Sequence, residues 1–262
     1  MELQLEDKVV VITGGASGIG KACAMTYLEE GCKVTVCGRS QSRLDSFAQE
    51  CREAGYTNFF TINADVTDPA DRQSILDQTL ARFAGLHIWI NNAGAVIRNK
   101  LMEASLKEWD TIMNTNLQAT FACTQLAAGH MKDHGGGVIV NASSFASRIP
   151  FAGTGIYAAS KWGVNALTQV FAAELAPYGI RVFAYIPGII VSELTRDRIT
   201  ANKDALLQQI PLNRLGEPED MAPTIVFLTS DRANYFTGVT VEITGGKCCV
   251  QNPLFGWETA AQ

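Results

Sequence analysis

Strand-like and helix-like patterns alternate along almost the whole chain, and this alternation limits the fold more than any other feature. Seven short segments are rich in β-branched and other apolar residues, as buried strands are; they span residues 8–13, 33–38, 58–66, 86–94, 135–144, 180–188 and 238–244. Helix-like segments lie between them, and in residues 42–55 the apolar Leu44, Phe47 and Cys51 repeat at helical spacing. Strands that alternate with helices form a parallel sheet covered on both faces. The sequence therefore predicts a three-layer α/β fold with a doubly wound, mostly parallel, seven-stranded sheet.

Composition indicates one domain and argues against several classes of partner. Of the 262 residues 47% are hydrophobic, enough for one sizeable core, and no linker rich in Pro, Gly or Ser divides residues 1–262. The formal charge of −5 offers no positive surface for nucleic acid. No apolar run is long enough to cross a bilayer, and the N-terminal residues lack the pattern of a secretion signal. We expect no nucleic-acid or membrane partner and a cytoplasmic location.

Cysteine and histidine usage bears on redox state and metals. The seven cysteines are odd in number and lack the spacing of metal ligands, and the three histidines are scattered. Most of the cysteines fall in apolar segments, where a free thiol behaves as a small hydrophobe. We therefore predict reduced thiols and no metal site.

A glycine cluster follows the first predicted strand and opens the first predicted helix. It reads Thr13-Gly14-Gly15-Ala16-Ser17-Gly18-Ile19-Gly20. Glycines at such a position allow a tight turn, close approach of the backbone to a pyrophosphate and close helix packing. The helix N-terminus adds free N–H groups and the positive end of its dipole. A bare turn could also be rich in glycine, but the strand-to-helix context favours a dinucleotide site.

The end of the second predicted strand bears on which dinucleotide is bound. An acidic residue about 20 positions after the glycines would bind the ribose 2′-hydroxyl of NAD. Here the chain reads Cys37-Gly38-Arg39-Ser40, without a carboxylate. Arg39 can pair with a 2′-phosphate and stack on adenine, although it could also be a solvated arginine at a strand end. We predict NADP as the cofactor, with NAD as the alternative.

The stretch from Ser144 to Lys161 combines residues suited to proton transfer. Tyr157 and Lys161 are four residues apart, so in a helix they lie on one face. A lysine cation there stabilises an ionised phenol and lowers its pKa from about 10, which suits a general acid/base. Ser144 lies where the fifth strand would end, and its hydroxyl could donate to a carbonyl or alkoxide oxygen. Ordinary helix surface can carry the same tyrosine and lysine, so this pair alone decides little.

Taken together, these motifs resemble the short-chain dehydrogenase/reductase family, from Lys8 to about Gly246. The family's Thr-Gly-x₃-Gly-x-Gly motif matches the glycine cluster, its Asn-Asn-Ala-Gly matches residues 91–94, and its Tyr-x₃-Lys matches Tyr157 and Lys161. Ser144 precedes Tyr157 by the family's usual spacing. The resemblance implies a Rossmann fold in a single domain, with a substrate loop at about 189–215 and a C-terminal tail at 247–262.

The resemblance also implies roles for individual residues. The catalytic residues would be Asn116, Ser144, Tyr157 and Lys161. The cofactor-binding residues would be Gly14, Ser17, Gly18, Ile19, Gly20, Arg39, Ser40, Asp65, Val66, Asn92, Ala93, Gly94, Tyr157, Lys161, Pro187, Gly188, Ile190 and Ser192. The implied reaction is hydride transfer between the nicotinamide and a carbinol or carbonyl carbon. Tyr157 would move the hydroxyl proton, Lys161 would lower its pKa and hold the nicotinamide ribose, Ser144 would steady the substrate oxygen, and Asn116 would anchor a water.

Three positions depart from the family's pattern. Ser192 stands where a threonine usually follows the Pro187-Gly188 pair, and it keeps the hydroxyl. Phe183 replaces an asparagine of the sixth strand, and Ser147 replaces a glycine after the two serines. We expect Phe183 and Ser147 to lie close to the pocket and to affect substrate identity.

Apolar residues dominate the candidates for the substrate pocket. These candidates are Val96, Ile97, Phe145, Ile149, Phe151, Ile189, Ile190 and Leu194. They favour an alicyclic or steroid-like alcohol or ketone as the small-molecule substrate. Arg98, Arg148 and Arg196 could instead bind a carboxylate or phosphate, or could be solvated loop charges. The alternatives are a 3-oxoacyl thioester or sugar/polyol dehydrogenase using NAD(H), another reaction on the same fold, and a non-catalytic dinucleotide-binding regulator.

Two regions bear on assembly. The resemblance implies a homo-oligomer, a tetramer, in which helices at 107–131 and 157–176 would pair about a two-fold axis. Their small residues are Ala119, Ala122, Ala127, Ala166, Ala172 and Ala173, unless these are buried within the monomer. The tail carries Val250, Leu254, Phe255 and Trp257, and burying one such side chain is worth about 1.5–3 kcal/mol. We predict that the tail packs across a subunit interface, with Phe255 or Trp257 near a substrate pocket of its own chain or of a neighbouring subunit.

Overall fold

A parallel sheet of seven strands forms the centre of the molecule; the computed structural model describes residues 2–193, 195–247 and 249–260. The strands are β1 (Val9–Thr13), β2 (Lys33–Gly38), β3 (Phe59–Asn63), β4 (Ile88–Asn91), β5 (Gly137–Ala142), β6 (Ile180–Pro187) and β7 (Thr240–Ile243). They pair in the order β3-β2-β1-β4-β5-β6-β7, all parallel. Because the order reverses between β1 and β4, the loops after these strands diverge and leave a crevice at the carboxyl edge.

Helices cover both faces of the sheet. They are α1 (Gly18–Glu29), α2 (Gln41–Glu53), α3 (Pro69–Phe83), α4 (Leu106–Met113), α5 (Ala119–Met131), α6 (Gly155–Leu175), α7 (Arg196–Leu207), α8 (Pro218–Thr229) and α9 (Phe255–Ala260). One core cluster packs α1, α2 and α8 against the sheet, and a second packs α3, α5 and α6 against the other face. The three-layer, doubly wound α/β fold predicted from the sequence is therefore confirmed.

The strands are buried on both faces, which explains their continuous apolar character. In β1, Val10 and Ile12 join the cluster on one face while Val11 joins the cluster on the other. All five residues of this strand are buried. Fully burying each valine or isoleucine contributes about 1.5–3 kcal/mol, so this segment is firmly held as the centre of the sheet.

Helix boundaries follow local signals in the sequence. At the start of α3, the Asp68 carboxylate accepts hydrogen bonds from the Ala70 and Asp71 N–H groups at 2.7 and 3.3 Å, and Pro69 occupies the first turn. Such a cap satisfies N–H groups that no helical carbonyl can reach. After α2, Gly55 adopts a φ of 84°, the left-handed conformation that favours glycine at a helix end.

Three segments differ from the sequence-based expectations. The predicted long helix contains a π-helical turn, Asn114–Gln118, between α4 and α5. The predicted substrate loop at 189–215 contains α7, which is interrupted at Asn202. The tail forms the short helix α9. Among the described residues, no helix is long and apolar enough to cross a membrane.

The small residues assigned to a subunit interface divide into two groups. Ala119, Ala127 and Ala172 are buried within the monomer, so they cannot form that interface, and their assignment to it is wrong. Ala122 on α5 is partly buried, and Ala166 and Ala173 on α6 are exposed. The packing of α5 and α6 against the sheet explains the first group, because small side chains let a helix approach the strands closely.

The cysteines of the sheet and its covering helices belong to the core. Cys23, Cys32, Cys37, Cys51 and Cys123 are free and buried. Burial raises the pKa of the Cys23 thiol from 9.0 to about 12, so this thiol stays protonated and unreactive at neutral pH. Across the described residues, no group of His, Cys, Asp and Glu side chains could hold a metal ion.

Candidate active site

A cavity of about 640 Å³ lies at the carboxyl edge of the sheet. Its walls come from the glycine turn after β1, the ends of β2, β3 and β4, the start of α6 and the segment after β6. The predicted cofactor residues that line it are Gly14, Ser17, Gly18, Ile19, Arg39, Ser40, Asp65, Val66, Asn92, Ala93, Gly94, Tyr157, Lys161, Pro187 and Ser192. The volume is in the range of small-molecule and cofactor sites.

The glycine turn is closely packed at Gly14 and Gly20, where a side chain would not fit. Gly14 and Gly18 adopt φ angles of 64° and 51°, in the left-handed region. A Cβ on Gly14 would lie 3.0 Å from the Ala93 backbone, and one on Gly20 would lie 2.5 Å from the Asn92 side chain. Gly20 does not line the cavity; its missing side chain lets α1 pack directly on the turn. The turn and the α1 N-terminus together present backbone N–H groups to an anion, which fits a dinucleotide pyrophosphate.

Asn92 holds the glycine turn in place. Its side-chain Nδ2 donates to the carbonyl oxygens of Thr13 and Gly14 at 3.1 and 3.0 Å, and its Oδ1 accepts from the Tyr185 hydroxyl at 2.7 Å. Asn92 thus ties the end of β4 to β1 and β6. Tyr185, which also lines the cavity, was not identified from the sequence, because a tyrosine inside an apolar strand is indistinguishable from core.

The ends of β2 and β3 bring a cation and a carboxylate together. Arg39 Nη1 lies 3.6 Å from Asp65 Oδ2. Asp65 also accepts from the Thr67 N–H and hydroxyl at 2.9 and 2.8 Å. Partial burial favours a higher pKa for the Asp65 carboxyl, but the Thr67 hydrogen bonds and the Arg39 charge outweigh it and lower that pKa. Asp65 is therefore ionised at neutral pH and neutralised by Arg39.

Tyr157 and Lys161 lie one turn apart in α6, as their spacing predicts. Lys161 Nζ donates to the Ala142 carbonyl at the end of β5, at 2.8 Å, and lies 5.9 Å from the centroid of the Tyr157 ring. Burial lowers the pKa of Lys161 from 10.5 to about 8. This lysine remains mainly charged at pH 7 although almost no solvent reaches it.

The pKa of Tyr157 is raised, whereas we expected Lys161 to lower it. Burial of the phenol is the main cause, and a hydrogen bond with Ser144 and the charge of Arg98 oppose it only in part. The phenol is consequently protonated at neutral pH. In this state Tyr157 is a proton donor, as the reduction of a carbonyl requires.

Ser144 lies directly beyond the end of β5 and caps a short 3₁₀ turn, Phe145–Ser147. Its Oγ accepts a hydrogen bond from the Ala146 N–H at 3.1 Å, and it shares a hydrogen bond with the Tyr157 phenol. The backbone bond fixes the rotamer of Ser144. The serine hydroxyl therefore lies beside the phenol of Tyr157, which lines the cavity, although Ser144 itself is not among the lining residues.

Asn116 is fully buried in the π-helical turn and does not line the cavity. Its Oδ1 accepts from the Ala95 N–H at 2.8 Å, and its Nδ2 donates to the Ala95 carbonyl and the Ser160 hydroxyl at 2.9 and 3.1 Å. The amide thus clamps the loop after β4 against α6. These contacts give Asn116 a positioning role for the segment that carries Ala93 and Gly94.

The apolar candidates for the substrate pocket lie beside the cavity rather than in its walls. Phe145 stacks on Phe151 at 6.0 Å between ring centroids and packs against Ile189, Leu206 and Ile210. Ile149 is 55% exposed, and Val96 and Ile97 are partly buried. Leu194 lies outside the described residues. Within the described chain, none of these candidates lines the 640 Å³ cavity.

Two further cofactor candidates, Gly188 and Ile190, also lie outside this cavity. They line a second cavity of about 190 Å³ near the end of β7. A Cβ on Gly188 would lie 2.7 Å from the Thr244 carbonyl oxygen, so glycine is needed there for close packing. Ile190 is 6% exposed and belongs to the core.

Phe183 and Ser147 are not among the residues that line the 640 Å³ cavity, although Ser147 lies directly behind the cavity wall at Ser143. Phe183 is buried in the core and packs edge-to-face on Phe236 at 5.3 Å. Ser147 is buried and bonded to the Ser143 hydroxyl and the Asn165 amide at 3.0 and 2.9 Å. Arg148 forms an ion pair with Glu242 at 3.0 Å, which directs its charge towards β7. The departures at Phe183 and Ser147 therefore affect how the core packs behind the cavity wall.

A comparison with protein-family models decides the family. The model described as short chain dehydrogenase matches residues 8–203. The chain belongs to the short-chain dehydrogenase family. It is an oxidoreductase of CH–OH and keto groups, and members of this family bind NAD(H) or NADP(H).

Curated relatives and solved structures extend the likeness over more than nine tenths of the chain. A 3-oxoacyl-acyl-carrier-protein reductase FabG of Staphylococcus aureus is 37% identical over 240 residues, covering 91% of this chain and 97% of the relative. A 3alpha-hydroxysteroid dehydrogenase of Mediterraneibacter gnavus is 35% identical over 249 residues, with 94% and 98% coverage. A crystal structure of a short-chain type dehydrogenase/reductase from Mycobacterium marinum superposes with a TM-score of 0.90 at 35% identity, covering 95% and 98% of the two chains.

Proposed function

We propose that this enzyme is an NADP(H)-dependent oxidoreductase that interconverts a secondary alcohol and a ketone. One observation carries the proposal: a single cavity runs from Arg39 at the end of β2 to Tyr157 and Lys161 in α6. A dinucleotide bound along it would have its adenosine at Arg39 and its nicotinamide at Tyr157. The carbon that exchanges hydride and the group that exchanges a proton would then meet at one end of the cavity.

The preference for NADP(H) rests on charge at the end of β2. The strand ends in Gly38, without the carboxylate that would bind a 2′-hydroxyl. Arg39 can offer a bidentate guanidinium to a 2′-phosphate. Asp65 is the carboxylate beside it, and Arg39 already neutralises this charge. A 2′-phosphate at this position would replace the weak, exposed contact between Arg39 and Asp65 with a stronger contact between Arg39 and the phosphate.

The side chains around Tyr157 account for proton transfer in either direction. When bound, the nicotinamide supplies or accepts the hydride. During reduction Tyr157 gives its proton to the carbonyl oxygen, and Ser144 donates a hydrogen bond to the same oxygen. The resulting phenolate is stabilised by the Lys161 cation. Asn116 keeps the loop after β4 in place through its bonds to Ala95.

For the substrate, we favour an apolar alicyclic or steroid-like alcohol or ketone. The aromatic pair Phe145 and Phe151 and the cluster around Ile189 provide apolar surface next to the catalytic end. A relative at 35% identity is named as a hydroxysteroid dehydrogenase. A 3-oxoacyl thioester is the second candidate, because the relatives at 36–37% identity from Staphylococcus and Thermotoga are named as 3-oxoacyl reductases.

A substrate panel tests this proposal. The full-length enzyme is assayed for NADPH and NADH consumption with a bicyclic ketone, a 3-ketosteroid and the acetoacetyl thioester of N-acetylcysteamine. We expect turnover with NADPH in preference to NADH, and a higher kcat/KM for the cyclic ketones. A higher kcat/KM for the thioester would select the second candidate. Turnover with NADH alone would contradict the cofactor assignment.

A further inference from the structure

An ion pair crosses the crevice that the proposed cofactor would occupy. Arg43 Nη2, in the first turn of α2, lies 2.6 Å from Glu193 Oε2, and both residues line the 640 Å³ cavity. The helix α2 follows β2, whereas Glu193 follows β6, and three strands separate β2 from β6. With strands about 4.8 Å apart, the ends of β2 and β6 are roughly 19 Å apart. The two segments therefore reach towards each other over the carboxyl edge of the sheet.

Neighbouring contacts place this ion pair at the adenosine end of the cavity. The Arg43 N–H donates to the Ser40 hydroxyl at 3.4 Å, and Arg39 immediately precedes Ser40. Arg39 and Arg43 thus flank the N-terminus of α2. Each is paired with a carboxylate from another segment, Asp65 and Glu193 respectively. The side chains of Arg43 and Glu193 are 49% and 63% exposed, and an exposed pair of this kind gives up its partner at little cost.

We propose that Arg43 is a second arginine for the 2′-phosphate of NADP(H), and that Glu193 is the partner that this phosphate displaces. This inference rests on the proposed function and adds a specificity-determining residue to it. A phosphate with close to two negative charges and three acceptor oxygens attracts a guanidinium more strongly than one carboxylate does. Once Arg43 turns to the phosphate, Glu193 is left beside an anion and is repelled by it.

The same exchange links cofactor identity to the segment that follows β6. Ser192 approaches the glycine turn closely, because a Cβ on Gly18 would lie 3.7 Å from the Ser192 Cβ. With NAD(H), Arg43 has no phosphate to bind and keeps Glu193. With NADP(H), the Arg43–Glu193 bond is lost. Glu193 therefore lowers the affinity for NADP(H), whereas Arg43 raises it.

Titrations of four proteins test this assignment. The dissociation constants for NADPH and NADH are measured by fluorescence with full-length wild type, R43Q, E193Q and R43Q/E193Q. We expect R43Q to raise the Kd for NADPH about tenfold and that for NADH less than about twofold. We expect E193Q to lower the Kd for NADPH about threefold, and to have no effect in the R43Q background. The ratio of the two Kd values does not depend on the fraction of active protein.

Two matched substitutions on the same helix serve as controls. Arg52 and Glu50 belong to α2, outside the lining of the cavity, so R52Q and E50Q should leave the ratio unchanged. If R43Q and E193Q weaken NADPH and NADH equally, the ion pair is a latch over either dinucleotide and the proposal fails. A ratio of the Kd for NADPH to the Kd for NADH that is unchanged in R43Q also overturns the proposal for Arg43. In that case the proposed function still stands if the wild type prefers NADPH. A wild type that prefers NADH overturns both.

Discussion

Lys161 shows at the scale of one residue how the site uses an unfavourable burial. The residue is 4% exposed, and its ammonium donates a hydrogen bond to the Ala142 carbonyl. Burial opposes the charged form and lowers the pKa to about 8. In the function that we propose, a positive charge kept in this position would stabilise the phenolate that Tyr157 forms during turnover and would attract an anionic cofactor. The protein therefore gives up folding stability at this residue in favour of function.

This cost leads to a prediction with a defined pH dependence. Because the folded pKa of about 8 lies below the unfolded value of 10.5, the unfolded chain binds more protons between these values. The free energy of unfolding therefore rises with pH across this window. We expect K161M to abolish turnover yet to stabilise the protein at pH 7 by up to about 3 kcal/mol. The loss of the hydrogen bond to the Ala142 carbonyl reduces this gain in the free energy of unfolding.

Urea denaturation at pH 7 and near pH 10.5 measures the effect. The advantage of K161M should shrink as the pH rises, because the wild-type lysine then loses its charge. K132M, which changes an exposed lysine, is the control and should show no such gain. A K161M protein that is less stable than wild type at pH 7 would contradict the argument.

Gly38 and Arg39 carry the prediction for cofactor choice. A Cβ on Gly38 would meet no atom within 4 Å, so G38D should fold normally and place a carboxylate where the 2′-phosphate would lie. We expect G38D to raise the KM for NADPH by about tenfold or more and to lower that for NADH. R39A should raise the KM for NADPH more than that for NADH. Steady-state kinetics with both cofactors check this, and equal changes for the two would exclude a phosphate contact.

At the scale of elements, strong local patterns were predicted correctly and weak ones were not. The strands were evident from runs such as that of β1, and the turn from Gly14 to Gly20 from its position between strand and helix. The π turn around Asn116 was missed, because its sequence, NTNLQ, contains no Gly or Pro to mark a break between the flanking helices. The helix α7 was missed because its sequence, RDRITANKDALL, is largely polar and lacks a clear apolar period.

The side chains of the site also divide into those that a local motif predicts and those that it does not. Residues with a motif, such as Tyr157 and Lys161, were identified from the sequence. Tyr185 was not, because its bond to Asn92 joins residues far apart in the chain. The ion pair between Arg43 and Glu193 was missed for the same reason. Contacts made by loops from distant strands depend on sheet order, which local spacing does not specify.

The tail is an element that contacts its own chain. In the structure it packs on the segment after α7, and its packing across a subunit interface stays a prediction. The indole Nε1 of Trp257 donates to the Pro211 carbonyl at 2.7 Å. Lys247 donates to Gln209 at 2.6 Å and lies 4.9 Å from the centroid of the Phe145 ring. The tail thus supports the segment that flanks the apolar cluster.

We therefore predict that W257F raises the substrate KM about threefold, through loss of one hydrogen bond, and leaves the Kd for NADPH unchanged. Truncation after Gly246 should have a larger effect in the same direction. W109F changes another exposed tryptophan, on α4, and serves as the control for tryptophan loss. Kinetics identical to wild type in the truncated protein would show that the tail does not support the substrate segment.

At the scale of the whole molecule, an exposed face of α5 and α6 remains for assembly. Ala166 and Ala173 are exposed, as are the larger Trp162 and Val170, at 51% and 54%. Phe121 of α5 is also partly exposed. Such apolar exposure on neighbouring helices is typical of a self-complementary interface. We propose that the protein is a homo-oligomer, a tetramer, that uses this face.

V170E tests the interface. A carboxylate at this exposed position should not disturb the monomer, but it would be buried without a partner in a two-fold contact. We expect sedimentation at dilute concentration to show an oligomer for wild type and smaller species for V170E. S46E, which places the same carboxylate at an exposed position of α2, should leave the assembly intact. A monomeric wild type would contradict the proposal.

The most direct test of the catalytic assignment removes one oxygen atom. Y157F deletes the phenolic hydroxyl that shares a hydrogen bond with Ser144 and leaves the glycine turn, Arg39 and Lys161 in place. The rate of NADPH oxidation with a substrate ketone and the Kd for NADPH are measured on the same preparation. Because one general acid contributes about 10²–10⁴-fold, we expect kcat to fall by at least about two orders of magnitude while the Kd for NADPH changes little. Turnover by Y157F at the wild-type rate would contradict the account.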